Sequence, residues 1–289
     1  MSEPEVLSRG DRGPAVEALQ RLLNRRGALL TLDARFGRAT EAELADAQRA
    51  AGLPASGRTD AETRQMLAQQ PEPSVDIATE AVTFIVRHEV GSRRYYETHT
   101  AQPHFPGGHS GVTIGIGYDL RFEPEWFAED WGSVLPPETT RTLERYLGRP
   151  GSRQAVESLA EIRVPWRVAW GVFVGSVLPR YVARTRRAFP GFDAVSRTRR
   201  GVLVSLVYNR GSAMLGESRR EMREIRAHVA RGELAAVPDA LRAMRRLWPD
   251  ARGLRLRREQ EADLWLTDGA GTARSSLRSE SDPRGAPAR

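Results

Sequence analysis

The chain has 289 residues, 40% of them hydrophobic and 28% charged, the balance of a globular protein rather than a disordered or fibrous one. It has no Cys, which excludes disulfides, thiolate metal sites and a Cys nucleophile. All 44 cationic residues are Arg and the net charge is +7, which favours a polyanionic partner; charge alone does not separate nucleic acid from a carboxylate- and phosphate-bearing surface.

Residues 7–67 read as a compact helical unit. Leu7 to Pro14 is rich in turn formers, with Pro14 suited to a first helical turn. Val16, Leu19, Leu22 and Leu23 then repeat at helical spacing until Gly27. Phe36-Gly37-Arg38-Ala39-Thr40 leads into a second helix carrying Leu44, Ala47 and Ala51 and ended by Gly52. Gly57 to Leu67 gives a third helix, with Asp60 or Thr59 as its cap. Gln69 to Ser74, two prolines among polar residues, reads as a short, semi-stiff linker. These limits place a bundle at 5–69 and a linker at 70–76.

The bundle resembles a type-one peptidoglycan-binding domain. The residues that carry the likeness are Gly10-Asp11-x-Gly13-Pro14-x-Val16, Leu19-Gln20-x-x-Leu23, Asp33-x-x-Phe36-Gly37-x-x-Thr40, Gln48, Gly52-Leu53-x-x-x-Gly57 and Thr63. Two positions depart from the pattern. Ala34 stands where Gly is usual, a costly exchange if the backbone there needs a glycine-only conformation. Ala47 stands in place of an aromatic residue and removes core volume that a neighbour must fill. The plainer alternative is a bundle used as a spacer or partner dock.

A second unit starts near Asp76. Ile77, Ala81, Phe84 and Ile85 share a helical face and leave Glu89 at the C-terminal end, where the helix macrodipole opposes a negative charge. Tyr95 to His109 is a loop rich in His, Pro and Gly. His88, His99, His104 and His109 invite a zinc reading, but the spacing matches no helix-borne pair of ligands, and neither a metal nor a cofactor is expected. From Ser110 to Asp119, Val112, Ile114, Ile116 and Tyr118 alternate with Gly111, Thr113, Gly115 and Gly117, a period of two that reads as a strand. Its second face is bare except for Thr113, and glycines inside a strand mark a close approach of ligand or backbone. A helix-end acid, a hydroxyl and the following Asp119 would make an open site with two carboxylates. A hairpin with glycines at its bends and two surface acids is the alternative.

Helix, Glu, loop and Thr-Ile-Gly-x-Gly together resemble the phage-type lysozymes, and Thr113-Ile114-Gly115-Ile116-Gly117-Tyr118-Asp119 is most similar to their pesticin-like branch. The resemblance runs through most of residues 78–266. It implies Glu89, Thr113 and Asp119 as catalytic groups. Glu97, which lies eight residues after Glu89 and before Thr113, is the alternative second carboxylate. It also assigns Tyr118 and Asn209 to the substrate, although Asn209 serves equally well as a helix cap.

Beyond Asp119 the pattern is helical. Val202 to Tyr208 is apolar nearly all round, as a central helix would be. Met244 to Glu261 resembles the lysozyme-family ending, where the Arg residues are structural. Arg245-Arg246 and Arg255 to Arg258 lack the aromatic interleaving of a single-strand binder, so nucleic acid is not an expected partner. Thr267 to Arg289, poor in apolar residues, reads as a disordered tail, giving a catalytic domain at 77–267 and a tail at 268–289.

The expected fold class is mainly α, with a three-helix peptidoglycan-binding bundle and an α+β, lysozyme-like helical domain bearing a small β-hairpin. The implied function is that of a peptidoglycan hydrolase, a muramidase cleaving the β-1,4 bond between N-acetylmuramic acid and N-acetylglucosamine, as an endolysin or a delivered antibacterial toxin. Met1 to Glu5 lacks the basic start and apolar core of a signal peptide, and no apolar run nears the ~20 residues of a bilayer span. The expectation is therefore a monomer made in the cytoplasm, without membrane insertion, that acts on peptidoglycan in the periplasm or outside. It would be served by a holin-type release pathway or secretion machinery, or countered by an immunity protein. The alternatives are a non-catalytic wall-binding protein and a metal-dependent wall amidase or peptidase that uses the histidines.

Overall fold

The computed structural model describes residues 6–279, with side chains described as far as residue 268. It divides into two compact units, one of Met1–Val75 and Val82–Arg180, the other of Asp76–Ala81 and Tyr181–Arg289. The fold is mainly α, with one two-stranded antiparallel hairpin among the described residues.

In the first unit, α1 (Pro14–Asn24), α2 (Arg38–Ala50) and α3 (Ala61–Ala68) pack Val16, Leu19, Leu23, Leu44 and Leu67 into one small core. Pro14 opens α1, and Asp60 caps α3 by accepting the Thr63 N–H at 2.7 Å, a contact that contributes about 1 kcal/mol. Two buried glutamines explain why the turns hold their shape. Gln20 donates to Asp33 Oδ1 and accepts from the Ala34 N–H. Gln48 donates to Thr63 Oγ1 and the Arg58 carbonyl, and accepts from the Gly57 N–H. Both spend their polar atoms on loops that would otherwise leave backbone groups unpaired in the core. Ala34 sits at φ +56°, the left-handed conformation that a side chain resists. Residues 70–73 run along α1, where Arg25 donates to the Gln70 carbonyl and pairs with Glu72 at 3.2 Å.

α4 (Thr79–Val90) ends where Gly91, at φ +72°, donates its N–H to the Arg87 carbonyl at 2.8 Å. A short turn, α5 (Arg93–Tyr95), capped by Ser92, runs into a π-helical turn at Tyr96–Thr100. The glycine-rich stretch then folds back on itself. β1 (Thr113–Ile114) and β2 (Tyr118–Asp119) pair antiparallel, with Thr113 opposite Asp119 and Ile114 opposite Tyr118. Period two therefore does not mean one strand here, because Gly115 and Gly117 take φ +55° and +66° and turn the chain within three residues. Val112, Ile114, Ile116 and Tyr118 are all buried. α6 (Phe127–Trp131), α7 (Pro137–Glu144), α8 (Arg153–Glu157) and α9 (Trp166–Val172) follow, and a π-helical turn at Phe173–Val177 leads into α10 (Leu178–Ala188).

The second unit is built around α11 (Arg197–Arg210), capped by Ser196 and buried at every position from Gly201 to Val207. A helix that is apolar all round has to lie inside. Gly201 is required there, since a Cβ at that position would collide with Ala81. α12 (Arg220–Arg231), α13 (Val237–Ala243) and α14 (Arg252–Ser279) complete the unit. Arg257, Arg258 and Glu261 are buried together. Glu261 accepts from Arg258 at 2.7 Å and from Ser205 at 2.6 Å, the structural use expected of this Arg pair. α14 continues past Leu266 to Ser279, where composition favours a tail. Extending an existing helix fixes one residue per hydrogen bond and avoids the cost of nucleation, and no Pro intervenes before Pro283. The remainder of the expected tail, 280–289, lies outside the described residues. No described helix is long and apolar enough to cross a membrane.

Candidate active site

Thr113 stands at the centre of the hairpin. On one side it faces Asp119 in register; on the other it exchanges both backbone hydrogen bonds with His104, at 2.8 and 2.9 Å. Directly opposed residues on a sheet bring their Cβ atoms to roughly 4.5–5.5 Å. Thr113 is 4% exposed and its Oγ1 has no hydrogen-bond partner. Thr79, Thr83 and Thr100 share this state; what sets Thr113 apart is its place in register with Asp119.

Asp119 is held rather than free. Its Oδ1 and Oδ2 accept the Gly111 N–H at 2.9 and 3.0 Å, and Oδ1 also accepts the Arg121 N–H at 2.9 Å. Gly111 is bare for this reason, because a Cβ there would lie 2.5 Å from Asp119 Oδ1. Oδ2, with one of these bonds against two on Oδ1, keeps acceptor capacity, since a carboxylate accepts about four.

Glu89 sits one residue before the end of α4 and is half-buried. Glu97 is exposed in the π-helical turn and pairs with Arg93 at 2.9 Å. Tyr118 departs from the expected substrate contact. It is 2% exposed, its hydroxyl donates to Asp130 Oδ2 at 2.9 Å, and its ring meets Trp131 edge-on. Burial and the adjacent Asp130 carboxylate push its phenol well above the ordinary range. Arg180 clamps both oxygens of Asp130, at 2.8 and 2.6 Å. Tyr118, Asp130 and Arg180 thus brace the hairpin from behind. The sequence places Asp130 between Trp126 and Trp131, but nothing in it pairs that acid with a residue 50 positions on.

Asn209 belongs to the second unit, within the last turn of α11, and its Oδ1 is buried without a partner. The helix end is closed by the Gly211 N–H bonding to the Val207 carbonyl, so Asn209 is not the cap. The histidines do not gather. His88 stacks edge-on with Phe84 and His99 lies flat on Tyr95. His104 has its Nδ1 buried without a partner, and burial lowers its pKa. No group of three His, Cys, Asp or Glu among the described residues is placed to hold a metal ion.

The small bundle has a family. Residues 12–67 match the peptidoglycan binding domain family. The matched stretch carries Gln20, Gln48 and the turns they hold. A solved structure, the Burkholderia AP3 phage endolysin, is similar over 90% of this chain and 99% of its own, at 16% identity and a TM-score of 0.22. No curated protein matches the chain.

Within the first unit, the peptidoglycan-binding domain is joined to later segments by named contacts. Arg93 pairs with Glu43 at 2.9 Å and Asp46 at 2.8 Å, and Arg167 pairs with Asp46 at 3.2 Å. Trp166 Nε1 donates to the Gly27 carbonyl at 3.0 Å. The Trp170 ring lies so close to Gly27 that a Cβ there would come within 2.7 Å of it. Glu43 and Arg93 do not share their burden equally. Burial pushes Glu43 up to about 7. Burial also opposes the Arg93 charge, yet its bonds to Asp46 and the charge of Glu43 raise it overall. One guanidinium serving three carboxylates cannot compensate each of them, so Glu43 stays raised.

Proposed function

We propose that the chain is a muramidase that cleaves the β-1,4 glycosidic bond of peptidoglycan, with Glu89, Thr113 and Asp119 as its reacting groups. The observation that carries this reading is the register that sets buried Thr113, whose hydroxyl has no partner, opposite Asp119 across the hairpin. Glycoside hydrolysis needs a carboxylic acid to protonate the leaving oxygen and a second carboxylate to steady the oxocarbenium-like state or activate water. Glu89 is assigned the first role, at the end of α4. Asp119 takes the second, held in orientation by the backbone N–H groups of Gly111 and Arg121. Thr113 Oγ1 both donates and accepts, and so can position the attacking water. The peptidoglycan-binding domain supports the substrate class.

Glu97 is the rival to Asp119. Its pairing with Arg93 at the solvent-facing side of the turn gives it a use outside the chemistry, and Asp119 is the stronger choice.

The test is digestion of purified peptidoglycan, borohydride reduction and mass spectrometry of the fragments. Wild type is expected to create new reducing ends at muramic acid. Glu89→Gln should lower the rate by about 10²–10⁴-fold, the usual worth of a positioned acid. Asp119→Asn should be comparably impaired, Glu97→Gln should stay active, and a chelator should have no effect. Gly111→Ala, which displaces the Asp119 carboxylate without removing it, should cost around 10²-fold. Peptides released from intact glycan strands would overturn the reading in favour of an amidase or peptidase. Binding without any release would leave a wall-binding protein.

A further inference from the structure

Thr113 has a second neighbour in register. Its backbone closes a hydrogen-bonded pair with half-buried His104 on one side, and Asp119 faces it on the other. Directly opposed residues of antiparallel strands project to one face. His104, Thr113 and Asp119 therefore form a row with the hydroxyl in the middle.

Two polar atoms of that row are buried without a hydrogen bond, Thr113 Oγ1 and His104 Nδ1. Asp119, the third member, is already held by the Gly111 and Arg121 N–H groups. Burial lowers the His104 pKa, and the Gln102 backbone, which acts the other way, does not restore it. The ring is therefore uncharged near neutrality, with one nitrogen carrying a proton and the other an acceptor. A water poised for attack points one proton at Asp119 and the other at Thr113 Oγ1. The hydroxyl then has to place its own single proton, and Oγ1 bonds no backbone carbonyl. An uncharged imidazole in register supplies the acceptor. Catalytic hydrogen bonds are commonly long without substrate and tighten around it.

We propose that His104 is a positioning residue: its Nδ1 accepts a hydrogen bond from the Thr113 hydroxyl and so turns the Oγ1 lone pairs toward the attacking water. The catalytic use of this contact rests on the muramidase reading above. The contact itself rests on the register and the two buried atoms.

NMR of the imidazole nitrogens in the full chain tests the contact, with the His104 signals assigned by their loss in His104→Asn. The expected ring is protonated at Nε2, and its Nδ1 resonance moves in Thr113→Val. Thr83→Val, which removes a buried, unbonded hydroxyl from α4, should leave that resonance in place. A ring protonated at Nδ1, or an Nδ1 resonance indifferent to Thr113→Val, overturns the proposal. Glycan cleavage is the second arm. His104→Leu should lower kcat about tenfold at unchanged KM, the worth of one orienting hydrogen bond. His104→Asn sets an acceptor where Nδ1 stands and should recover most of that loss, whereas a packing role would favour Leu. Equal kcat in His104→Leu and wild type also overturns the proposal. If wild type cleaves no glycan, the muramidase reading fails and the Nδ1 resonance decides the contact by itself.

Discussion

Single residues carry the departures of this chain from the peptidoglycan-binding pattern. Ala34 holds a left-handed backbone at φ +56°, where any Cβ crowds the neighbouring carbonyl. The conformation survives because the Gly13 N–H bonds to the Ala34 carbonyl at 2.9 Å and Gln20 takes the Ala34 N–H. Replacing it with Gly relieves the crowding but returns conformational freedom to the unfolded chain. The net expectation is a gain of about 0.5–1 kcal/mol, read as a melting temperature a few degrees higher by calorimetry. An unchanged or lower value would mean that the loop strains elsewhere. This position was legible from sequence, because a glycine-only backbone leaves its mark where another residue intrudes. The Tyr118 contact with Asp130 was not, since a phenol reads alike whether it meets a sugar or a buried acid.

At the scale of elements, the hairpin depends on side chains far from it in sequence. Asp130 is fully buried and satisfied by Tyr118 and both arms of Arg180. Asp130→Ala takes both of its hydrogen bonds from Arg180, which keeps Glu123 at 4.0 Å, and leaves the Tyr118 hydroxyl on the Glu123 carbonyl at 3.2 Å; breaking such a buried pair costs roughly 3–5 kcal/mol. Tyr118→Phe keeps the ion pair and loses one hydrogen bond, for about 1 kcal/mol. Denaturant unfolding should rank them in that order. Equal effects would show that the ion pair contributes little. Hydrophobic periodicity located α1 to α4 and α11 because each buries a face that repeats every 3.6 residues. It misread 110–119 as one strand because a tight hairpin with buried apolar residues on both arms also alternates.

At the scale of the molecule, Glu43 links the peptidoglycan-binding domain to Arg93 inside the first unit, and its carboxyl is raised to about 7 from an ordinary value of 4.5. A folded-state value above the unfolded one means that the stabilisation is complete below pH ~4.5 and is lost as pH rises through about 7. Glu43→Gln should therefore match wild type near pH 4 and become the more stable protein, by on the order of 1–3 kcal/mol, near pH 8. Parallel melting curves across that range would show instead that Arg93 fully compensates the charge.

The residues themselves determined the helices, their caps and the grouping of Gln20, Gln48 and the turn glycines, because those features act over a few positions of chain. They also brought Thr113 and Asp119 together, since a hairpin with a three-residue loop closes within the motif. Tertiary structure alone decided that Arg93 is divided among three carboxylates, that Asp130 answers to Arg180, and that Ala47 borders one cavity with Trp166 and Trp170. Apart from Arg93 and Glu97, four positions apart, those partners lie tens of positions from each other, and burial, rather than any local pattern, selects which charges meet.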